Sequence, residues 1–557
     1  MLRISPPSFF CGIDLGTTNS TVSVIRLETE SDNPIEKLEV RPIYQYDENY
    51  KFDKNSHHLP SSIYFDLDNN RVFTGKYAKN TYSTGNKALQ TIRSVKTRIG
   101  GESLIEIPKI NNPENITYVN MVQCSAILLK TIRQSLNAQF NEEINEVVIT
   151  VPAAFNTDER QATKNSALLA GFKTIEILDE PTAALLYYIN SDIHFREIDH
   201  RNSSDNNGDY KLVYDIGGGT LDVSIARIIE NKNNGTLETD IVVRSPRMDL
   251  GGDDFDHYLA AYFLSEFENA RKSIEDRSKE EQSQIISRIV SQAEKEKIEM
   301  NKAIKSNIDN PRRLKKYKRY VDFEVARGMY VQDIVITKEK LDEIFSNLIH
   351  TEILKPIEES LTYADLHKEQ ISEVIITGGM SGYYAVEQAL GSFFGTKTRL
   401  IPIDKAASVS KGAAIHHYNL YGQKLKRIKL NDRLADDIYI KVGNEFIMLI
   451  SRTTLPNTSG KFQYVIPEDG LAELSVFLYY GTSNRAGNLT KLAGKFFPLK
   501  HKIYRGDTIN IEWFLDKDKI ILIKVIELDG NLTVEKDKNY SSEIIQNDFI
   551  KTLKINV

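Results

Sequence analysis

Two apolar runs, far apart in the chain, are each interrupted by a glycine-rich turn and then resume as an alternating run. The turns are residues 14–20, DLGTTNS, and residues 215–222, DIGGGTLD. Apolar alternation on both sides of a turn predicts strand, turn and strand. Each segment is therefore predicted to be a β-hairpin, which differs from the strand-to-helix junction of the commoner phosphate-binding loops.

The same patterning predicts a mixture of strands and helices up to residue 421. Residues 144–151 are predicted to be a buried strand, whereas residues 158–170 and 255–305 have helical spacing. A polar stretch at 191–209 bridges two halves that each contain one glycine hairpin. Residues 1–421 are therefore predicted to be an α/β domain built from two duplicated lobes.

The pattern changes after residue 421. Residues 422–437 are polar and partly basic, and are predicted to be an interdomain linker. Residues 438–530 contain short alternating segments separated by turns, which predicts an all-β domain. Residues 531–557 are polar and are predicted to be a short peripheral tail. The predicted fold class is a multidomain protein in which an α/β domain precedes a β-domain.

Composition and charge narrow the class of protein. The chain has 557 residues, too many for one hydrophobic core, and its net charge of −6 gives no general attraction to nucleic acid or membranes. Cys11 and Cys124 lie in apolar runs, as small core residues of a reducing compartment do. The sequence has neither a signal-peptide pattern nor a membrane-spanning apolar stretch, so a cytoplasmic protein is expected. The basic run 312–319 is interpreted as a solvated hairpin and not as a nucleic-acid site.

The residue types of the two glycine turns suit a nucleotide phosphate. Glycine lets backbone N–H groups approach phosphate oxygens, threonine hydroxyls add donors, and aspartate can hold magnesium directly or through water. Asp14 and Asp215 stand at the head of the two turns. Two such hairpins could clamp one nucleotide from both sides. Either turn alone could be an ordinary glycine-rich hairpin, but their similarity disfavours that interpretation.

Five motifs, in order, resemble those of the 70-kDa heat-shock protein family, the DnaK-type chaperones. They lie at residues 12–20, 150–156 with 160–163, 179–184, 215–222 and 250–256. The resemblance covers most of residues 8–420 and implies an actin-like ATPase fold of two lobes, with ATP or ADP and Mg²⁺ in the cleft between them. Segments 450–456, 480–486 and 492–496 are similar, in order, to parts of the family's peptide-binding β-sandwich.

The resemblance also implies roles for residues of the cleft. Lys96 would position the attacking water and stabilise charge on the γ-phosphate. Asp14, Asp215 and Glu180 would hold magnesium through its waters, and Asp222 would help to hold the water network. Without the motifs, Lys96 would be taken for an exposed surface lysine and Glu180 for a capping residue before a proline-initiated helix.

Further residues would contact the nucleotide itself. The group at the phosphates is Gly16, Thr17, Thr18, Asn19, Gly217, Gly218, Gly219 and Thr220. The group at the nucleoside is Gly252, Glu294, Lys297, Asn301, Gly378 and Gly379. The family places two arginines around the adenine, where this chain has Ile298 and Gly382. Since each stacking contact is worth on the order of 1 kcal/mol, we expect weaker ATP binding than is typical of the family.

Three departures from the family concern partners and regulation. Glu176 replaces an arginine that pairs with a J-domain co-chaperone, so a specialised J-domain partner, together with a nucleotide exchange factor, is expected. Residues 429–437 are more polar than the family's linker, which argues against its standard docking. The tail is too short for the family's helical lid, so bound polypeptide is expected to dissociate quickly.

The predicted function is that of an ATP-dependent molecular chaperone of the 70-kDa heat-shock type, in which nucleotide modulates the binding of unfolded or extended polypeptide. One alternative is a nucleotide-gated binding module with little turnover. The missing arginines favour it, and the presence of Lys96, Glu180 and Asp215 disfavours it. A second is a small-molecule kinase of the actin-like superfamily, and a third is an actin-like filament former. Neither of these explains the C-terminal β-domain.

Overall fold

The computed structural model describes most of the chain, with gaps. The described residues are 9–28, 33–85, 87–101, 103–191, 209–231, 236–245, 248–266, 274–422, 428–434, 436–442, 444–466, 469–481, 489–526, 532–534 and 554–555. Four predicted features fall wholly or partly outside them. These are the polar bridge, part of the linker, residues 482–486 of a β-domain segment, and most of the C-terminal tail.

The first glycine hairpin lies in a mixed sheet of the first half. The strands of this sheet follow the order Thr174–Asp179, Glu146–Val151, Phe9–Asp14, Asn19–Arg26 and Leu38–Val40, and Leu59–Pro60 also pairs with Asn19–Arg26. The strand Phe9–Asp14 runs antiparallel to Asn19–Arg26 and parallel to Glu146–Val151. The predicted strand–turn–strand at residues 14–20 is therefore confirmed.

The second glycine hairpin lies in a second sheet with the same arrangement at its centre. Its strands follow the order Arg399–Pro402, Ile371–Thr377, Asp209–Ile216, Leu221–Asn231, Thr236–Arg244 and Ile428–Asn431. The strand Asp209–Ile216 runs antiparallel to Leu221–Asn231 and parallel to Ile371–Thr377. Each hairpin is thus flanked by a parallel strand, and the second strand–turn–strand prediction is also confirmed.

Eleven α-helices lie in the described part of the chain. They are Lys76–Ser83, Met121–Phe140, Thr157–Leu169, Glu180–Asn190, Gly252–Ser265, Lys279–Ser306, Pro311–Lys316, Lys338–Ile344, Lys355–Ala364, Tyr384–Phe394 and Ser408–Tyr421. Shorter 3₁₀ or π turns are Ala88–Gln90, Val95–Arg98, Leu348–Glu352, Lys368–Gln370 and Gly379–Gly382. The local sequence determines where several helices begin. For example, Asn156 and Glu159 form a reciprocal capping box at the start of Thr157–Leu169.

Two of these helices pack between the sheets and join the two halves. Glu180–Asn190 and Ser408–Tyr421 share an apolar cluster with both sheets, which contains Val148, Val213 and Ile375. A Cβ on Gly412 would lie only 1.8 Å from the carbonyl oxygen of Ala183. The helices therefore approach so closely that only glycine fits at this position.

Four small sheets complete the fold around the first 421 residues, and one of them includes the strand Lys554–Ile555 from the end of the chain. The strands of one are Lys554–Ile555, Arg71–Thr74, Ile63–Asp66 and Thr91–Ile92, and the three pairs are Gln45–Tyr46 with Phe52–Asp53, Ile105–Pro108 with Ile116–Val119, and Arg319–Ala326 with Met329–Ile336. The predicted hairpin of the basic run is only partly right. Its first part is the helix Pro311–Lys316, because Asn310 caps it and Pro311 starts it, and the hairpin begins at Arg319.

The regular elements in the described residues after 421 are all strands. One sheet follows the order Glu445–Ile450, Asp437–Val442, Leu471–Gly481 and Leu489–Ile503, and the other the order Thr458–Val465, Thr508–Leu515, Ile521–Ile526 and Leu532–Val534. Alternate residues of both sheets form one core, in which Ile440, Val476 and Phe497 meet Ile511 and Val525. We call residues 437–534 the β-domain.

The linker differs from the polar connection that its sequence suggested. Ile428–Asn431 pairs in parallel with the edge strand Thr236–Arg244, so the linker extends the second sheet. The reason is a local alternation: Ile428 and Leu430 pack against the apolar cluster between the two halves. The exact domain boundaries stay predictions, although the strand Leu532–Val534 extends the β-domain past residue 530.

No helix among the described residues is both long enough and apolar enough to cross a lipid bilayer.

Candidate functional site

The two glycine turns face one cleft, which encloses about 480 Å³. Both turns lie where a central strand of a sheet ends, and the parallel neighbours of those strands bring further polar ends to the same place. The cleft is lined by residues from both halves: Asp14, Gly16, Thr17, Thr18, Asn19, Thr21, His58, Lys96, Glu180, Asp215, Gly217, Gly218, Thr220, Gly252, Asp253, Asp256, Glu294, Lys297, Ile298, Gly378, Gly379, Met380, Lys405, Ala406, Ser408 and Val409.

Hydrogen bonds within and behind the two turns fix their shape. Ser61 Oγ donates to the Gly16 carbonyl at 2.6 Å, which fixes the first turn from behind. In the second turn, the Gly217 N–H donates to Thr220 O at 2.9 Å. The helix that begins at Gly252 is tied to this turn, since the Gly252 N–H donates to Gly217 O at 3.0 Å.

The two turns also touch each other, which explains why glycine is needed in the second one. A Cβ on Gly218 would lie 1.8 Å from Thr18 Oγ1 of the first turn. A Cβ on Gly219 would lie 2.6 Å from Thr97 Cγ2, so Gly219 packs against the cleft wall and does not line the cavity. The cleft is therefore closed at this end by direct contact between the halves.

Lys96 and Glu180 form a buried ion pair at the centre of the cleft. Lys96 is placed there by a short turn, Val95–Arg98, which follows Ser94 in a left-handed conformation with φ of 51°. Glu180 is the first residue of the helix Glu180–Asn190. Burial lowers the pKa of Lys96, but Glu180, Asp14 and Asp215 raise it by more, so Lys96 is a stable cation.

Three aspartates lie around this pair, and burial disfavours their charged form. Burial and nearby carboxylates such as Glu180, opposed by Lys96, raise the pKa of Asp14 to about 7 and that of Asp222 to about 7, and they raise the pKa of Asp215 well above its ordinary value. Asp222 Oδ1 accepts a hydrogen bond from the Ala153 N–H at 3.0 Å. Buried carboxylates that repel one another leave a deficit of positive charge, which a cation can fill.

This donor set fits a magnesium ion that keeps its waters. Magnesium prefers oxygen ligands and usually retains several waters, with one or two carboxylates. Asp14 and Asp215 approach the cavity from opposite hairpins, and no group of three acidic, histidine or cysteine side chains in the described residues converges on one point. The carboxylates therefore suit a hydrated ion better than a directly caged one.

The far end of the cleft is lined by paired charges and by apolar groups. The Lys297 ammonium binds Asp256 at 2.8 Å and the Gly252 carbonyl at 2.7 Å. Glu294 pairs with Lys79 and with Arg93, which come from the first half. Charged side chains are thus paired with one another here, and the cavity wall between them is formed by backbone and by apolar groups.

Ile298 and Met380 provide those apolar groups. Ile298 lines the cleft from the helix Lys279–Ser306 and is 43% exposed. Gly382 does not line it, because the space beside Gly382 is filled by Lys405, whose ammonium would lie 2.6 Å from a Cβ at that position. Asn301 also lies behind the wall, where its amide donates to Gly382 O at 3.1 Å.

Of the residues predicted at the site, most line the cleft, and Gly219, Asp222 and Asn301 support it from behind. Sequence reasoning missed Asp256, Lys405, His58 and Met380. Asp256 lies one helical turn after Gly252, so that spacing could have indicated it. His58, Met380 and Lys405 come from loops or short turns with no periodic pattern, and nothing in the sequence alone pointed to them.

Comparison with known proteins is consistent with this geometry. A family model described as "Hsp70 protein" matches residues 10–548. The chain is 30% identical, over 480 residues, to "Chaperone protein DnaK" of Thermosipho africanus (strain TCF52B), which covers 85% of this chain and 70% of the relative. The protein of the same name from Thermotoga maritima gives the same identity and the same coverage. That from Thermosipho melanesiensis is 30% identical over 484 residues, or 86% of this chain and 71% of the relative.

Proposed function

Because the chain belongs to the Hsp70 family, it is an ATP-dependent chaperone of the 70-kDa type and an ATPase, and we propose how its residues perform these roles. The observation that carries the proposal is the convergence of two glycine turns and a buried lysine–carboxylate pair on one cleft. Phosphoryl transfer to water requires mainly positioning and charge stabilisation, which this arrangement can supply.

The triphosphate of ATP would lie in the cavity that both turns line. Backbone N–H groups beside Gly16, Gly217 and Gly218 would approach the phosphate oxygens, where any side chain would obstruct them. The hydroxyls of Thr17, Thr18 and Thr220 would donate further hydrogen bonds. The turns come from different halves, so one ligand would hold both halves together.

Lys96 would position the attacking water and stabilise negative charge on the γ-phosphate. Its ammonium is held in place by Glu180, which limits the reorganisation needed during the reaction. Asp14, Asp215 and Glu180 would hold Mg²⁺ through water, and this ion would supply charge neutralisation between the phosphates. Asp222, buried behind them, would orient the waters of this shell.

The nucleoside would occupy the far end of the cleft, between Lys297 and Glu294 on one side and the backbone of Gly378 and Gly379 on the other. The apolar surface of Ile298 would contact the base. An aliphatic contact lacks the attraction between a guanidinium group and an aromatic ring. This difference supports the expectation of weak ATP binding.

The β-domain would bind unfolded or extended polypeptide, and its affinity would depend on the nucleotide in the cleft. Extended peptides are generally held through main-chain hydrogen bonds and through pockets for alternate side chains. If the two nucleotide states differ in affinity for polypeptide, polypeptide must in turn bias the nucleotide states. A specialised J-domain co-chaperone and an exchange factor are proposed as further partners because Glu176 reverses a charge.

Single-turnover ATP hydrolysis by a Lys96→Ala variant tests the chemical proposal. We expect the rate constant to fall by about 10²–10³-fold, the usual effect of removing one preorganised donor. Lys295→Ala, which removes an exposed lysine from the helix that carries Lys297, is the matched control and should hydrolyse ATP at the wild-type rate. Equal rates for Lys96→Ala and wild type would contradict the assignment. Nucleotide binding without hydrolysis in the wild type would favour the gated binding module.

A further inference from the structure

The outer end of the nucleotide cleft carries a lysine that belongs to neither glycine turn. Lys405 lies in the loop between the strand Arg399–Pro402 and the helix Ser408–Tyr421, and it lines the cavity. Its side chain fills the space beside Gly382, where a Cβ would lie 2.6 Å from the ammonium and 3.4 Å from Cδ. The lack of a side chain on Gly382 therefore makes room for this ammonium at the cavity wall.

Lys405 lies near the part of the cleft proposed for the base, and away from the phosphates. The segment that ends at Gly382 begins against the second glycine turn, since a Cβ on Gly378 would lie 2.3 Å from a backbone oxygen of that turn. At the other end of the segment, the Gly382 carbonyl accepts from the Asn301 amide at 3.1 Å. Asn301 is about one helical turn past Ile298, which lines the cavity.

The carboxylate that holds Lys405 has a second cation. The Lys405 ammonium lies 3.2 Å from Glu387 Oε1, but Lys305 contacts both oxygens of the same carboxylate, at 2.8 and 2.9 Å. The other lysines that line the described cleft, Lys96 and Lys297, are buried in ion pairs of their own. Lys405, which is 33% exposed, can therefore turn to a ligand without leaving its carboxylate unpaired.

Two backbone acceptors near Lys405 are already engaged. The Gly382 carbonyl accepts from Asn301 and from Lys305. The Gly378 carbonyl accepts from both the N–H and the hydroxyl of Ser381. Because a carbonyl oxygen has two lone pairs, neither group has one left for a ligand. This part of the wall thus offers the protons of an ammonium, while these carbonyls offer nothing to an amino group.

Purine bases differ in what they present to such a donor. An ammonium donates three protons and accepts none. Adenine presents N7 as an acceptor beside its 6-amino group, which is a donor, whereas a 6-oxopurine such as guanine presents two acceptors, N7 and O6. A lysine can bind both acceptors of the 6-oxopurine but only one on this edge of adenine. A 6-oxopurine therefore suits Lys405 better than adenine does.

We propose that Lys405 binds the base of the nucleotide and enables the cleft to accept 6-oxopurine triphosphates in addition to ATP. The inference rests on the proposed function, because it uses the same cleft and the same phosphate site. The chemical step is the same for either base. Water attacks the γ-phosphorus, the bond to the bridging oxygen breaks, and nucleoside diphosphate, inorganic phosphate and a proton are released.

The test compares ATP with inosine triphosphate, a 6-oxopurine nucleotide that has an oxygen in place of the amino group of adenine. Dissociation constants of the full chain are measured by isothermal titration calorimetry with Mg²⁺ present, and hydrolysis is measured in single turnover. Lys405→Met removes the ammonium and keeps an unbranched side chain. Lys305→Met is the matched control, because Lys305 binds the same carboxylate but does not line the cavity.

We expect the wild type to bind inosine triphosphate about as tightly as ATP and to hydrolyse it. Lys405→Met should lose about fivefold or more in affinity for inosine triphosphate and much less for ATP. Lys305→Met should keep the wild-type ratio of the two dissociation constants. An unchanged ratio in Lys405→Met, an equal change in Lys305→Met, or a wild type that binds ATP alone would each overturn the inference.

Failure of the proposed function would give a different result. Binding of both nucleotides without hydrolysis of either would refute the proposed hydrolysis, and the ratio of dissociation constants would still decide the role of Lys405. Hydrolysis of ATP together with rejection of inosine triphosphate would leave the ATPase intact and overturn this inference alone.

Discussion

At the scale of single residues, the balance of charge in the cleft determines its chemistry. Lys96 is the cation at its centre; Asp215 and Asp222 are buried beside it, and Asp14 is half-buried. Such a site disfavours its own full ionisation and favours any ligand that brings positive charge. A nucleotide that arrives with a divalent cation would compensate this deficit.

Substitution of Ile298 is expected to change the affinity of the cleft for ATP. Replacement by arginine would place a guanidinium group over the base, and one such contact is worth about 1 kcal/mol, or about fivefold in affinity. Ile298→Arg should therefore bind ATP more tightly than wild type in isothermal titration calorimetry. The control is Ile286→Arg, an exposed residue of the same helix that does not line the cleft. Nanomolar binding by the wild type would contradict the expectation of a weakened site.

At the scale of elements, the packing of two helices between the sheets sets how the halves meet. The helices Glu180–Asn190 and Ser408–Tyr421 approach through Gly412, and the first of them begins with Glu180 of the cleft. Displacement of either helix would therefore be transmitted to the site. The close packing of protein interiors makes such an element shift as a unit.

Gly412→Ala tests this packing. The new Cβ would lie 1.8 Å from a backbone oxygen that cannot rotate away, so the helices must separate. Overpacking of this kind costs about 1–3 kcal/mol, and we expect a lower thermal unfolding midpoint by calorimetry.

Gly391→Ala is the matched control for that substitution. Gly391 is also within a helix, and the nearest atom to its new Cβ, Leu400 Cδ1, would lie 3.9 Å away. This variant should be as stable as wild type or more stable by up to about 1 kcal/mol, because alanine is the better helix former. Equal midpoints for the two variants would show that the helices do not meet as described.

The hydrophobic pattern predicts an element correctly where turn-forming residues interrupt a clear run of apolar positions. The two hairpins were predictable because glycine, threonine and aspartate interrupt apolar strands in a similar way at residues 14–20 and 215–222. The strand Ile428–Asn431 was missed, since two apolar residues among lysine and asparagine are too few to signal a strand. Only its contact with the edge strand Thr236–Arg244 makes it one.

At the scale of the whole molecule, ion pairs between residues that are far apart in the chain form contacts that the sequence does not reveal. Lys519 and Asp179 are separated by 340 positions, and neither lies in a pattern that predicts an ion pair. The same holds for Lys517 and Glu176, where the charge reversal was visible in the sequence but its partner was not. In the folded chain, Glu176, which differs in charge from the family's residue, pairs with the oppositely charged Lys517.

That interface links the β-domain to the half of the molecule that carries Glu180 of the nucleotide site. The linker strand Ile428–Asn431 pairs with the second sheet, and Lys517 and Lys519 of the β-domain pair with Glu176 and Asp179. Coupling between two sites is reciprocal, so a polypeptide that alters this contact must alter the nucleotide site, and nucleotide must alter polypeptide binding.

The coupling of the two domains is measured by single-turnover ATP hydrolysis of the full-length wild-type chain, with and without an unfolded polypeptide. We predict measurable hydrolysis that becomes faster when polypeptide is present. Hydrolysis at the same rate in both conditions would contradict the claim that the β-domain and the cleft act as one chaperone.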